Sequence, residues 1–359
     1  PAKIRRPIQK TDCPTNQGRN QIWGSEQTMS NPEICVAGGG SWGTALAHLL
    51  ATNGYKTSLW LRDAAVAEAV CKRHENPRSL PGFALHPSLD TTTDPAVMGR
   101  EIVVLAVPCQ QLRGWLTTNA SFFRKNVVLV NAAKGIETTN LATCAEVTEQ
   151  SLGHLAPRYA ALSGPSFAAD VLRGLPTAVV LATADEALGH LLRQIFSGSS
   201  FRCYSSTDVM GVEMGGAVKN VMAIAAGVCD GLGLGHNSRA ALITRGLAEM
   251  SRLGLARGAQ PHTFMGLSGF GDLTLTCTGD LSRNRQVGLR LGRGEKLEHI
   301  TASLGMVAEG VKTTAAIHEL ARRLEVDAPL TDAVYSILYE DSDPQEVLHN
   351  LMSRRLRDE

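Results

Sequence analysis

The stretch Ile34-Cys35-Val36-Ala37-Gly38-Gly39-Gly40-Ser41-Trp42-Gly43-Thr44-Ala45-Leu46-Ala47 decides the fold, because an apolar run breaks into glycines and resumes as helix-forming residues. Ile34 to Ala37 has the composition and length of a buried parallel strand, and Thr44 to Thr52 carries helix formers ended by Asn53-Gly54. Between them Gly38, Gly40 and Gly43 stand in the G-x-G-x-x-G spacing. The first glycine permits a tight turn, the second lets a pyrophosphate approach the backbone, and the third lets helix and strand pack closely. The free N–H groups and positive dipole end at the start of that helix would face the phosphates. A second apolar strand, Lys56 to Leu61, closes a βαβ unit. A glycine triplet alone is a weak signal; inside a complete βαβ unit it points to dinucleotide binding.

Outward from this unit the same alternation continues. A helix is expected from Asp63 to Lys72, followed by a loop over Asn76-Pro77-Arg78-Ser79-Leu80-Pro81-Gly82. Ile102 to Val107 and Val127 to Asn131 read as further parallel strands, and Lys134 lies just beyond the second. The C-terminal ends of such strands face the ligand crevice, so Lys134 is placed to meet an anion, though a solvated surface lysine fits the same pattern. Ala160 to Ser163 runs into Gly164-Pro165-Ser166-Phe167-Ala168, again strand, turn and helix start. Ala178 to Ala182 and Phe201 to Tyr204 read as the last strands, with a helix from Asp185 to Phe196 between them.

After Ser205 the alternation gives way to long helical segments. The expected organisation is a leader or disordered extension over residues 1–29, a dinucleotide-binding domain over 30–205, a helical substrate domain over 206–353 and a charged tail over 354–359. The fold class is therefore an α/β Rossmann-like domain with a mostly parallel sheet, followed by an all-α domain. At 359 residues the chain is long enough for two cores. A net charge of +1 gives no general attraction to nucleic acid or to membranes. The eight cysteines are scattered, with no C-x-x-C pair and no metal-ligand spacing, and read as reduced, mostly buried thiols of a cytoplasmic protein. Residues 1–29 are polar and basic without an apolar core, unlike a secretory signal, and Met29 is a candidate start. No apolar run is expected to reach the ~20 residues needed to span a bilayer.

Three places carry chemistry. Val209 to Cys229 is apolar on all sides and so should be buried, yet Lys219 and Asn220 interrupt it. A lysine there is either desolvated, with a pKa lowered by ~3–5 units that makes it a candidate general base, or its head snorkels to solvent. Gly266 to Thr274 reads as a glycine-rich turn carrying one carboxylate, Asp272. Ser282 resembles the N-cap of a helix toward Leu291, and Ser282, Arg283 and Asn284 at its start suit a phosphate. Arg285 is expected to face water.

With these residues in hand the chain closely resembles the NAD(P)-dependent glycerol-3-phosphate dehydrogenases of the bacterial type, from about Pro32 to Leu351. The resemblance is carried by the glycine stretch, by Asn131-Ala132-Ala133-Lys134-Gly135, and by Leu162-Ser163-Gly164-Pro165-Ser166-Phe167-Ala168. Gly216-Ala217-Val218-Lys219-Asn220-Val221, Gly269-Phe270-Gly271-Asp272-Leu273, Ser282-Arg283-Asn284 and Val307-Ala308-Glu309-Gly310 complete it. It implies hydride transfer between a nicotinamide and carbon two of glycerol 3-phosphate, with a helical domain like the C-terminal part of 6-phosphogluconate dehydrogenase. Lys219 would exchange the proton. Lys134, Gly164, Ser166, Asp272, Ser282, Arg283 and Asn284 would bind the phosphorylated substrate. Ser41, Trp42, Arg62, Lys134, Ala168, Arg283, Val307 and Glu309 would touch the cofactor, beside Gly38, Gly40 and Gly43. No metal is needed.

A carboxylate at the end of the second strand favours NAD and an arginine there favours NADP; here Arg62 and Asp63 are both present. The expectation is NADP, with NAD also used, reversing if Asp63 turns to the ribose. Family habit implies a homodimer, a cytoplasmic location and supply of glycerol 3-phosphate for phospholipid synthesis. A related β-hydroxyacid-type dehydrogenase and a non-catalytic dinucleotide sensor are the alternatives.

Overall fold

The computed structural model describes residues 31–304 and 308–354. Residues 1–29, most of the tail over 354–359, Cys13 and Val307 fall outside them. Eight strands form one sheet: β1 (Ile34–Ala37), β2 (Thr57–Trp60), β3 (Asp90–Thr92), β4 (Ile102–Leu105), β5 (Val128–Asn131), β6 (Arg158–Ser163), β7 (Thr177–Ala182) and β8 (Phe201–Ser206). Their spatial order is β3-β2-β1-β4-β5-β6-β7-β8. Every pairing is parallel except β6 with β7. The order turns back on itself between β1 and β4, the point at which open α/β sheets bind ligands outside the strand ends.

Helices cover both faces: α1 (Ser41–Thr52), α2 (Ala64–Arg73), α3 (Cys109–Asn119), α4 (Cys144–Leu152), α5 (Ala168–Leu172) and α6 (Glu186–Phe196). Strand alternation decides which core each residue joins. Ile34, Val36, Ile102 and Val104 pack with α1 and α6, whereas Cys35, Ala37, Val103 and Leu105 pack with α3 and α4. Both faces are thus dry, which is why these strands read as unbroken apolar runs. The polar edge strand β3 and helices α3 and α4 lacked any such signal.

The helical part runs α7 (Val209–Gly231), α8 (Gly235–Ala256), α9 (Pro261–Phe264), a π-helical turn (Leu267–Gly271), α10 (Asp272–Thr278), α11 (Arg283–Gly292), α12 (Leu297–Leu304), α13 (Glu309–Arg323), α14 (Pro329–Tyr339) and α15 (Pro344–Met352). Asp272 is therefore not in a turn, as its glycine-rich context suggested, but begins a helix. The central α7 packs against α8, α10, α11 and α13. It corrects the expectation about apolar runs: its 23 residues are long and apolar enough to cross a membrane, but 94% of its apolar 18-residue window is buried inside the protein. The contact with α11 is at backbone level, since a Cβ on Gly288 would stand 1.9 Å from the Ile224 carbonyl oxygen.

Among the described residues seven cysteines are free, and all but Cys71 are buried.

Candidate active site

The glycine turn lies over the sheet's reversal point. Gly38 has φ +125°, and a Cβ there would meet the Ala106 carbonyl oxygen at 2.5 Å; one on Gly43 would meet the Gly38 carbonyl oxygen at 2.0 Å. At Gly40, the N-cap of α1, the space a side chain would fill is open, and no side chain caps the helix. The first-turn N–H groups of α1 are thus left for an anion. Trp42, just inside the helix, has its buried Nε1 without a partner among the described residues. These features fit a dinucleotide's phosphates. Ser41 is turned the other way, donating from Oγ to the Ser79 carbonyl at 2.8 Å.

A residue the sequence did not single out holds this turn. Asn76 is fully buried, and its Nδ2 donates to the Gly39 carbonyl at 3.0 Å and to Thr44 Oγ1 at 2.9 Å. Ser79 Oγ adds a bond to the same carbonyl at 3.1 Å. Its Asn-Pro turn was legible, but nothing local shows that the amide reaches a carbonyl 37 residues upstream.

At the end of β2, Arg62 and Asp63 stand in different settings. Asp63 caps α2, its Oδ1 accepting from the N–H groups of Ala65 at 3.0 Å and Val66 at 3.2 Å, while its Oδ2 faces Arg78 at 3.3 Å. Arg62 is exposed, with no hydrogen-bond or ion-pair partner among the described residues.

Three charged side chains from separate elements converge. Lys219 Nζ on α7 donates to Asp272 Oδ1 at 2.5 Å and to Thr276 Oγ1 at 3.0 Å. Lys134 Nζ, beyond β5, donates to Asp272 Oδ2 at 2.5 Å and to the Gly164 carbonyl at 3.2 Å. The side chains of Lys219 and Asp272 are 9% and 1% exposed, so the ammonium does not snorkel. Burial is the dominant influence on Lys219 and outweighs the carboxylate beside it; with Lys134 adding repulsion, its pKa falls to about 8. Burial pushes Asp272 the other way, but the two ammoniums hold it below the usual carboxylate range. The cluster thus keeps its carboxylate charged and lets Lys219 release a proton near neutral pH.

The other expected site residues are distributed around this cluster. Ser166 Oγ donates to the Gly164 carbonyl at 2.9 Å, and Ala168 begins α5. Ser282 caps α11 through Arg285 N–H at 3.2 Å. Arg283 is exposed, without a hydrogen-bond or ion-pair partner among the described residues. Asn284 is buried and already engaged, Nδ2 donating to Asn220 Oδ1 at 2.9 Å and Oδ1 accepting from Gly310 N–H at 3.0 Å. Glu309 Oε1 accepts from the Cys109 N–H at 3.3 Å, joining the starts of α13 and α3. Burial raises its pKa to about 7 despite the nearby charges of Arg283, Lys219 and Lys134. Arg285 corrects its expected exposure: it is 8% exposed and paired with Asp230 at 2.7 Å and Asp280 at 2.9 Å.

A glycine turn that fits a dinucleotide's phosphates at a sheet reversal, together with a buried lysine of lowered pKa, is the arrangement of a nicotinamide-dependent dehydrogenase with a helical second half. The models for the N-terminal and C-terminal parts of NAD-dependent glycerol-3-phosphate dehydrogenase match residues 33–189 and 208–349. The chain belongs to that family. It is 75% identical to a glycerol-3-phosphate dehydrogenase [NAD(P)+] of Desulfovibrio desulfuricans, over 91% of this chain and 98% of that one. A glycerol-3-phosphate dehydrogenase [NAD(P)+] of Nitratidesulfovibrio vulgaris is 59% identical, over 91% of this chain and all of its own length. Among solved structures, the glycerol-3-phosphate dehydrogenase of Coxiella burnetii superposes with a TM-score of 0.86 at 38% identity, covering 90% of this chain and 99% of that one.

Proposed function

We propose that this chain interconverts sn-glycerol 3-phosphate and dihydroxyacetone phosphate with NADP or NAD, and that Lys219 exchanges the proton. The observation that carries the reading is the buried Lys219–Asp272 pair, with the lysine's pKa near 8. When bound, the nicotinamide supplies the hydride acceptor or donor for carbon two. In oxidation, neutral Lys219 accepts the C2 hydroxyl proton as the carbonyl forms; in reduction, its ammonium polarises the ketone and protonates the resulting alkoxide. Asp272 stays ionised throughout and fixes the position of Nζ. A dinucleotide sensor would have no use for this convergence of Lys134, Asp272 and Lys219.

Arg283, with the start of α11, is assigned to the substrate phosphate, and Lys134, Gly164, Ser166, Ser282 and Asn284 to the rest of the substrate site. Asn284 would act mainly by positioning Asn220 and the start of α13, given its bonds to Asn220 and Gly310. Gly38, Gly40, Ser41, Trp42 and Gly43 are assigned to the cofactor phosphates, with Ala168, Arg283, Val307 and Glu309 completing the cofactor site. NADP is the preferred cofactor, because Asp63 is committed to capping α2 and Arg62 is free to meet a 2′-phosphate. We assign residues 30–205 to cofactor binding and 206–353 to substrate binding, in a cytoplasmic homodimer that supplies glycerol 3-phosphate for phospholipid synthesis.

The test is NADPH oxidation with dihydroxyacetone phosphate, followed by absorbance, beside NADH and with Lys219→Ala. The expected result is turnover in the parent and a loss of about 10²–10⁴-fold in the variant, which still binds NADPH. Absence of turnover in a parent that binds both cofactors would overturn the assignment.

A further inference from the structure

We propose that Arg78 is a second contact for the 2′-phosphate of NADP, held at the adenosine end of the cofactor site by Asp63. The inference rests on the reading of Arg62 as the residue at that end. Two sets of bonds bring Arg78 there. The backbone on both sides of it is tied to the glycine turn: Asn76 Nδ2 and Ser79 Oγ reach the Gly39 carbonyl at 3.0 and 3.1 Å, and Ser41 Oγ reaches the Ser79 carbonyl at 2.8 Å. The side chain then returns to the end of β2, where its guanidinium lies 3.3 Å from Asp63 Oδ2.

Arg62 immediately precedes Asp63 in the chain, so the end of β2 carries two arginines against one carboxylate, one oxygen of which is spent on the start of α2. The local charge is net positive, next to a turn shaped for phosphates. A phosphate monoester carries close to two negative charges at neutral pH.

The ion pair alone gives Arg78 little purpose. Its side chain is 72% exposed and that of Asp63 42%, and pairs so exposed add little to stability. What Asp63 supplies is aim: it holds the planar guanidinium at the end of β2, where Arg62 also stands, and leaves N–H donors free. An arginine fork matches two phosphate oxygens at once, which a lysine does not. The loop over residues 76–82 thereby has two tasks, bracing the glycine turn through Asn76 and reading the cofactor through Arg78.

Isothermal titration of the full chain with NADPH and with NADH tests this in the parent, Arg78→Ala, Arg78→Lys and Arg62→Ala. Arg78→Ala is expected to raise the NADPH Kd about tenfold and to move the NADH Kd little. Arg78→Lys should recover part of the loss, since charge without the fork remains. An unchanged NADPH Kd in Arg78→Ala, with a raised one in Arg62→Ala, would overturn this proposal alone. Equal weakening of both cofactors would put Arg78 on the pyrophosphate and also overturn it. If Arg62→Ala leaves the ratio of the two Kd values unchanged, the reading of Arg62 fails, and the proposal with it.

Discussion

Lys219 Nζ stands 2.5 Å from Asp272 Oδ1 in a setting where the lysine is pulled down in pKa and the aspartate is held ionised. Since oxidation needs the neutral amine, kcat/KM for glycerol 3-phosphate should rise with pH and level off above about 8. Reduction needs the ammonium and should decline over the same range. Initial rates in both directions across that interval check this, and parallel profiles would remove Lys219 from the proton step.

The two neighbours of Lys219 act on it with opposite sign. Asp272 favours the ammonium and Lys134 disfavours it. Asp272→Asn should therefore shift the oxidation profile to lower pH, and Lys134→Met to higher pH, although both lose activity. Displacement of both profiles in one direction would contradict this electrostatic account.

Much of this was legible in the sequence, and what was not has identifiable causes. The glycine triplet could be trusted because strand and helix flanked it at the right lengths. Lys219 stood out because all sides of its helix are apolar. The sequence around Arg285 reads as exposed because its burial depends on Asp230, at the far end of α7 and 55 residues away. Asp272 reads as part of a turn because the glycines before it hide a π-helical turn that delivers it to the first position of α10. Strand β3 (Asp90–Thr92) is a short polar edge whose register comes only from pairing with β2. For Arg285 and β3 the deciding partner is remote in the chain, whereas for Asp272 it is the conformation of the five residues just before it.

Asn76 offers a test of the glycine turn that leaves every glycine in place. Asn76→Ala removes two donated bonds and leaves the Gly39 carbonyl and Thr44 hydroxyl short of a partner. The expected cost is about 1–3 kcal/mol of stability, together with weaker binding of both cofactors. Denaturant unfolding and cofactor titration measure the two effects, and a variant as stable as the parent would show that the loop does not brace the turn.

The crossing of α7 and α11 should tolerate no added carbon. In Gly288→Ala the new Cβ would stand 1.9 Å from the Ile224 carbonyl oxygen and 2.8 Å from Val228 N, so the helices must separate. A loss of about 1–3 kcal/mol and a fall in activity are expected, because Asn220 and Asn284 join the same two helices. Gly114, inside α3 with nothing within 4 Å, is the contrasting site. There alanine should stabilise by about 0.5–1 kcal/mol. Thermal melting of the two variants should give shifts of opposite sign.

Glu309 predicts a pH dependence of stability rather than of rate. Burial raises its pKa from 4.5 to about 7 in the folded chain. Between those values the unfolded chain has released a proton that the folded chain keeps, so stability falls as pH rises through the window and levels off above it. Glu309→Gln has no proton to lose and should show a shallower decline from about pH 4.5 to 7. The Cys109 N–H can still donate to the amide oxygen, so the join between α3 and α13 is retained. Urea unfolding of parent and variant at several pH values measures the difference. Curves of equal slope would mean that Glu309 stays ionised beside Arg283, Lys134 and Lys219, and that the charges facing it outweigh its burial.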